Sequence, residues 1–136
     1  MFVKDYELRY SDIDREGNIK KCAVIDLLQD ISIMHANHVG LNSKKMKSIS
    51  MVCLLSNWRI KLLNTIDVNK KVTVKTGIMK ITKCEAYRKY EMWQDGECKV
   101  IATAVWFTVN TEKSVLHVWQ KNFLRHLKIY PRRITI

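Results

Sequence analysis

The sequence predicts an α+β domain, an antiparallel sheet of five or more strands wrapped around one long central helix, on three observations. Residues 21–39 form a long apolar-periodic segment with no internal Gly or Pro. Segments rich in Val, Ile, Thr and aromatic residues flank it, one before and four after. The 136 residues, 47% apolar with four Gly and one Pro, fit one compact unit over 1–136 that needs no disulfide or metal to build its core.

Taken in order, residues 2–10 place Phe2, Tyr6, Leu8 and Tyr10 on one side of a period-two pattern and Lys4, Glu7 and Arg9 off it, as in a half-buried strand. Residues 11–18, Ser-Asp-Ile-Asp-Arg-Glu-Gly-Asn, are dense in turn formers, and Gly17 supplies a positive φ. Val24, Leu27, Leu28, Ile31, Met34 and Val39 then recur at helical spacing, with Gly40 as the C-terminal stop. Ala23, Ile25, Ile33 and Ala36 widen this stripe, so the helix is expected to be covered around much of its circumference. A basic polar loop at 42–48 precedes strands at about 51–63, 71–82, 86–94 and 98–110. Asp95-Gly96 between the last two is a two-residue hairpin turn of type I′, which makes those strands antiparallel neighbours. From about residue 119 the chain reads as a tail with a short amphipathic helix at 120–127 and a Tyr-Pro-Arg-Arg junction at 130–133.

The 24 Lys and Arg against 13 Asp and Glu give a net charge of +11, which favours an anionic partner. The basic clusters are scattered, and Trp93 and Trp106 fall in strand patterns rather than a base-stacking array, so no nucleic-acid interface is expected. Cys22, Cys53, Cys84 and Cys98 are widely spaced and read as reduced, mostly buried thiols. No apolar run has the length of a signal peptide or a membrane span, which places the expected compartment in the cytoplasm, without membrane insertion.

Among chemistry-bearing patterns, Asp12-x-Asp14-x-Glu16-Gly17 matches the opening of a calcium-binding loop. Its twelfth position is Ala23 where a bidentate Glu is needed, so no metal or other cofactor is expected. Asp14 or Glu16 beside a helix N-terminus suits acyl transfer, with a carboxylate as base or nucleophile and first-turn amides around Gly17 polarising a carbonyl oxygen. The same residues also serve as ordinary turn and cap formers. His35 and His38 share the apolar stripe of the helix and read as core histidines or pocket lining.

The segment Tyr6-x-Leu8-Arg9-Tyr10-x-Asp12-x-Asp14-x-x-Gly17, followed by Leu27-Leu28-Gln29-Asp30 and by His35 through Gly40-Leu41, resembles the first hot-dog domain of the acyl-ACP thioesterases. The resemblance continues through Asn57-Trp58-Arg59-Ile60, Val72-Thr73-Val74-Lys75-Thr76, Arg88-Lys89-Tyr90, Asp95-Gly96-Glu97 and Ala102-Thr103-Ala104-Val105-Trp106, over about residues 2–118. It implies a hot-dog fold and an acyl-thioester hydrolase releasing fatty acid from acyl-ACP or acyl-CoA. It implies Asp14 as catalytic carboxylate, Glu16 as a substitute base and Gln29 as the polar group orienting water or carbonyl. Gly17 and Asn18 are then the oxyanion donors, and Ser32 and Ala36 line the acyl chain.

The carrier, acidic or phosphate-bearing, would meet Lys20, Lys21 and Arg88 at the entrance. Members of this type carry two hot-dog domains in tandem, whereas this chain has room for one, which implies a homodimer or homotetramer, or a fragment of a longer chain. Asn18-Ile19-Lys20-Lys21 stands where many catalytic hot-dog domains read His-Val-Asn-Asn, and Glu16 replaces their catalytic Asn. That substitution supports the alternative of a non-catalytic acyl-binding or pocket-completing module.

Overall fold

Alternation along the strands turns one face of each toward a single helix, and the computed structural model, which describes residues 1–113 and 115–116, shows how. The order is β1 (Phe2–Tyr6), a 3-10 turn (Tyr10–Asp12), α1 (Lys21–His38), α2 (Ser43–Ser48), β2 (Met51–Leu62), β3 (Val72–Ile81), β4 (Glu85–Gln94), β5 (Glu97–Asn110) and β6 (Val115–Leu116). All pairings are antiparallel, in the sheet order β1-β3-β4-β5-β2, with β6 on β5. The helix expected over 120–127 and the junction at 130–133 lie outside the described residues.

Val24, Leu28 and Ile31 of α1 pack against Val72 and Val74 of β3, Tyr90 and Met92 of β4, and Val100, Ala102 and Ala104 of β5. The two alanines leave room for the helix to approach the sheet, and Leu28 and Ile31, fully buried, each stabilise the fold by about 1.5–3 kcal/mol. Register shifts at Leu55/Asn57, Ile78/Lys80 and Met92/Trp93 mark bulges, which sharpen the twist and curl the sheet around α1. Asp95 (φ 50°) and Gly96 (φ 72°) make the turn between β4 and β5, both left-handed as a type I′ turn requires.

The helix ends in a Schellman motif: Gly40 N–H donates to the Asn37 carbonyl (3.1 Å) and Leu41 N–H to that of Ala36 (2.8 Å), with Gly40 at φ +87°. Leu41 packs back on Ala36 in a second apolar cluster with Met51, Ala86, Met46 and Cys53. No helix among the described residues is long and apolar enough to cross a membrane.

Several expectations change. The first strand stops at Tyr6, not Tyr10, because the Arg9 N–H donates to Asp12 Oδ2 (2.8 Å), a local bond that starts a 3-10 turn and leaves Tyr10 95% exposed. The loop at 42–48 is helical: Asn42 Oδ1 accepts from Lys45 N–H (2.9 Å), capping α2. Among the described residues the central helix is covered on one side only, with Ile33 59% and Met34 38% exposed. Cys22 is exposed and the other three cysteines are half-buried, since none occupies the inner face of the central strands.

Candidate functional site

The turn between β1 and α1 is built by its own carboxylates. Asp14 N–H donates to the Asn18 carbonyl (2.8 Å), Asn18 N–H donates to Asp14 Oδ1 (2.9 Å), and Gly17 N–H donates to the Asp14 carbonyl (3.1 Å). Gly17, at φ +82°, lets the chain reverse, and a bridge between Ile13 and Ile19 closes the loop. Asp12 is buried and gripped by Arg9, whose side chain donates to both carboxylate oxygens. That pairing holds its pKa below the ordinary carboxylate value.

Asp14 is half-buried, and its Oδ2 has no hydrogen-bond partner among the described residues, while Glu16, Gly17 and Asn18 are exposed. The N–H groups of Gly17 and Asn18 are already engaged by Asp14, so in this conformation they are not the oxyanion donors expected from the sequence. The open donors lie just beyond. No side chain caps α1, and its first intrahelical bond runs from Val24 N–H to the Lys20 carbonyl, leaving the amides of Lys21, Cys22 and Ala23 without helical partners. Lys20 is half-buried and Lys21 exposed at this end.

A second feature occupies the other end of α1. An apolar cavity of about 550 Å³, opening at the surface, lies between the C-terminal half of α1, α2 and the sheet. Ser32, Ile33 and Ala36 form its α1 wall, Met46 and Lys47 its α2 wall, and Ile78, Ala86, Arg88 and Trp106 its sheet floor. Ser32 Oγ donates to the Leu28 carbonyl (2.8 Å), which leaves the 2.6 Å contact with Tyr90 to be donated by the tyrosine, whose oxygen accepts from Trp106 Nε1 (3.2 Å). The Ser32 proton is therefore committed, and its hydroxyl is a wall group rather than a nucleophile.

Arg88 corrects a further expectation. It is 7% exposed, sits on β4 between Ile78 and Ala104 of the neighbouring strands, and cannot meet a carrier at the surface. Its Nη1 donates to His35 Nδ1 (2.8 Å) and Thr76 Oγ1 (3.2 Å). Because guanidinium only donates, His35 accepts at Nδ1 and carries its proton on Nε2. Burial, with Arg88 next in effect, depresses His35 to about 4, so the ring is neutral where it stacks on Phe2 at 5.3 Å between centroids. His38 is exposed and tilts over the same Phe2 ring, at 5.4 Å between centroids.

The structure thus separates the expected site residues into two groups. Asp14, Glu16, Gly17, Asn18, Lys20 and Lys21 gather at the N-terminal end of α1, and Ser32, Ala36 and Arg88 at the cavity, about 16 Å further along at 1.5 Å per residue. Gln29, half-buried and without a hydrogen-bond partner among the described residues, lies between them on the helix face that also carries Cys22, Ile33 and Ala36. Thr76 and the α2 wall were not among the expected site residues, and Arg88 and His35 were expected separately, as a carrier contact and as core or pocket lining, rather than as one cluster. Burial of Ala86, Arg88, Tyr90 and Met92 at alternate positions of β4 is the pattern that marks Arg88 as inward-facing.

The profile of the acyl-ACP thioesterase N-terminal domain matches residues 1–127. No curated protein sequence matches the chain. Among solved structures, an acyl-ACP thioesterase from Bacteroides thetaiotaomicron superposes with a TM-score of 0.88 at 16% identity, over 99% of this chain and 56% of that one. The 12:0-ACP thioesterase from Umbellularia californica gives 0.78 at 15% identity, over 92% of this chain and 51% of that one. A DHNA-CoA thioesterase from Staphylococcus aureus gives 0.81 at 16% identity, over 91% and 86%. The chain spans about half the length of the two ACP thioesterases, and at these identities the likeness is one of fold, the hot-dog fold.

Proposed function

The chain belongs to the acyl-ACP thioesterase family, whose N-terminal domain matches residues 1–127, and from that premise we propose that it hydrolyses acyl thioesters carried by an acyl carrier protein or CoA. The observation that carries the reading is the free Oδ2 of half-buried Asp14 beside the uncapped first turn of α1, on a helix that leads to an apolar cavity. Asp14 takes a proton from water, the resulting hydroxide attacks the thioester carbonyl, first-turn amides hold the oxyanion and the thiol leaves. Direct attack by Asp14 through an anhydride gives the same products. Glu16 is the alternative base, and Gln29 orients water or carbonyl from the middle of the helix.

A second hot-dog unit, supplied by another copy of the chain, completes the site, because one copy keeps its carboxylate and its cavity apart. Ile33 and Met34 on α1 and the β2 edge, unpaired among the described residues, are the surfaces available for it. Lys20 and Lys21 then lie where an anionic carrier approaches, and the net charge of +11 draws it in.

A non-catalytic acyl-binding module is the second reading, favoured by the engagement of Gly17 and Asn18 N–H with Asp14. Thiol release from a panel of acyl-ACP and acyl-CoA thioesters, at low and high salt, separates the two. The hydrolase reading expects release that slows with salt on the carrier protein, and a drop of at least about 100-fold in kcat for Asp14→Asn. Asn retains the Oδ1 acceptor for Asn18 N–H, so the turn survives the substitution. No release from any member by the folded protein would leave the binding module as the reading.

A further inference from the structure

Arg88 presents a charge with no counter-ion. It is 7% exposed, and no carboxylate among the described residues lies within ion-pair distance of it. Its neighbours cannot serve as anions near neutral pH. His35 is neutral, burial pushes the Cys53 thiol up to about 11, and burial also raises Tyr90. Both of its hydrogen bonds use Nη1, which leaves the edge formed by Nε and Nη2 without an acceptor among the described residues.

Arg88 is also a wall residue of the cavity between α1, α2 and the sheet, so its guanidinium borders open space. The cavity has a volume of about 550 Å³, and Arg88 shares its lining with the apolar Ala36, Met51, Ile78 and Trp106 and with Asn37 and Lys47 on the helical walls. A guanidinium edge offering two parallel N–H groups matches the two oxygens of a carboxylate, and in an apolar cavity that pairing is poorly screened.

We propose that the Nε/Nη2 edge of Arg88 is an anion subsite in the floor of this cavity, and that the cavity takes acyl groups whose far end carries a carboxylate. The proposal rests on the thioesterase reading for the presence of a thioester at the near end. The subsite itself requires only that the cavity bind an acyl group. Buried charge without a partner is costly to hold, and an incoming carboxylate supplies the missing half of the pair. An acyl group with a methyl terminus fills the same volume and leaves the charge alone.

The test uses two amide analogues of CoA thioesters, which cannot be hydrolysed, one acylated with suberic acid and the other with its monomethyl ester. Calorimetry on the wild-type chain is expected to show the free carboxylate binding at least about 100-fold more tightly, as for a site built to meet a polar group. Arg88→Met is expected to reduce the ratio to within a few fold, and Arg88→Lys, which keeps the charge without the fork, to an intermediate value. In the wild-type complex, a 13C-labelled suberyl carboxylate is expected to be shielded from a paramagnetic agent in solvent, a readout that needs no variant to fold. Equal binding of the two analogues, binding of neither, or a solvent-exposed carboxylate overturns the proposal.

Hydrolysis of the matching thioesters separates this result from the activity. Discrimination in binding without hydrolysis retains the subsite and removes the hydrolase. Hydrolysis without discrimination does the reverse.

Discussion

Two carboxylates two positions apart in one turn have different freedom because they meet different donors. Asp12 is saturated by the Arg9 backbone and guanidinium, whereas Asp14 spends one oxygen on Asn18 and keeps the other. A comparable division holds at the other end of α1, where burial, and after it Arg88, keeps His35 uncharged. The consequence for pH follows from linkage: His35 has a folded pKa of about 4 against an ordinary value of 6.5, so the unfolded chain binds a proton that the folded chain refuses. Stability is therefore unaffected above about pH 6.5, falls as pH drops from there toward 4, and has lost the whole contribution below that. Asp12, Asp95 and Glu97 have lowered values, so their contributions are lost as pH falls from the ordinary carboxylate values downward, at the acid end of this window and beyond it. Urea midpoints at pH 7.5 and 5.0 check the claim, the expected result being a smaller fall for His35→Gln than for the wild type. An equal fall in both proteins would show that His35 is not the group responsible.

At the scale of elements, α2 is six residues long and would not hold a helix alone, so its cap and its packing decide whether the cavity has that wall. Asn42→Ala removes the acceptor for Lys45 N–H and is expected to cost about 1 kcal/mol of stability. Because Ser43, Met46 and Lys47 line the cavity, the same change is expected to raise KM for an acyl thioester several fold and leave kcat unchanged. An unaltered KM in a destabilised protein would show that α2 does not touch the acyl group. This element also shows what the sequence could carry. The strands after residue 50 and the Asp95-Gly96 turn were legible because alternation and a left-handed dipeptide are local signals, and the long helix because its period repeats. In α2, six residues are too few to repeat, and the Asn42 cap was the sole signal. The turn that holds Asp14 was legible from its turn formers, but the engagement of the Gly17 and Asn18 amides depends on the loop closing on itself, which no local pattern encodes. Arg88 was misplaced because its charge outweighed its alternation with Ala86, Tyr90 and Met92, an inward face plain only once β3 and β5 flank it.

At the scale of the whole molecule, the described residues leave one side of the central helix uncovered, and the site's geometry gives that side a use. Cys22, Asp26, Ile33 and Asn37 are exposed along α1, and the stripe that holds Gln29 runs from the Asp14 turn to the cavity mouth. A second helix laid against this stripe would cover Ile33 and Met34, and pairing at the β2 edge would extend the sheet. Were the second helix antiparallel to the first, its turn would lie toward the first copy's cavity, which a single copy leaves about 16 Å of helix away from its own turn. Met34→Glu places a charge in the proposed contact, at a position 38% exposed and outside the cavity lining, so tolerant of the change in an isolated copy. Sedimentation is expected to show the wild type as a dimer or larger and the variant shifted to monomer, with thiol release lost in parallel. If the wild type sediments as a monomer at the concentration where it releases thiol, the second copy is unnecessary and Asp14 must reach the thioester within its own chain.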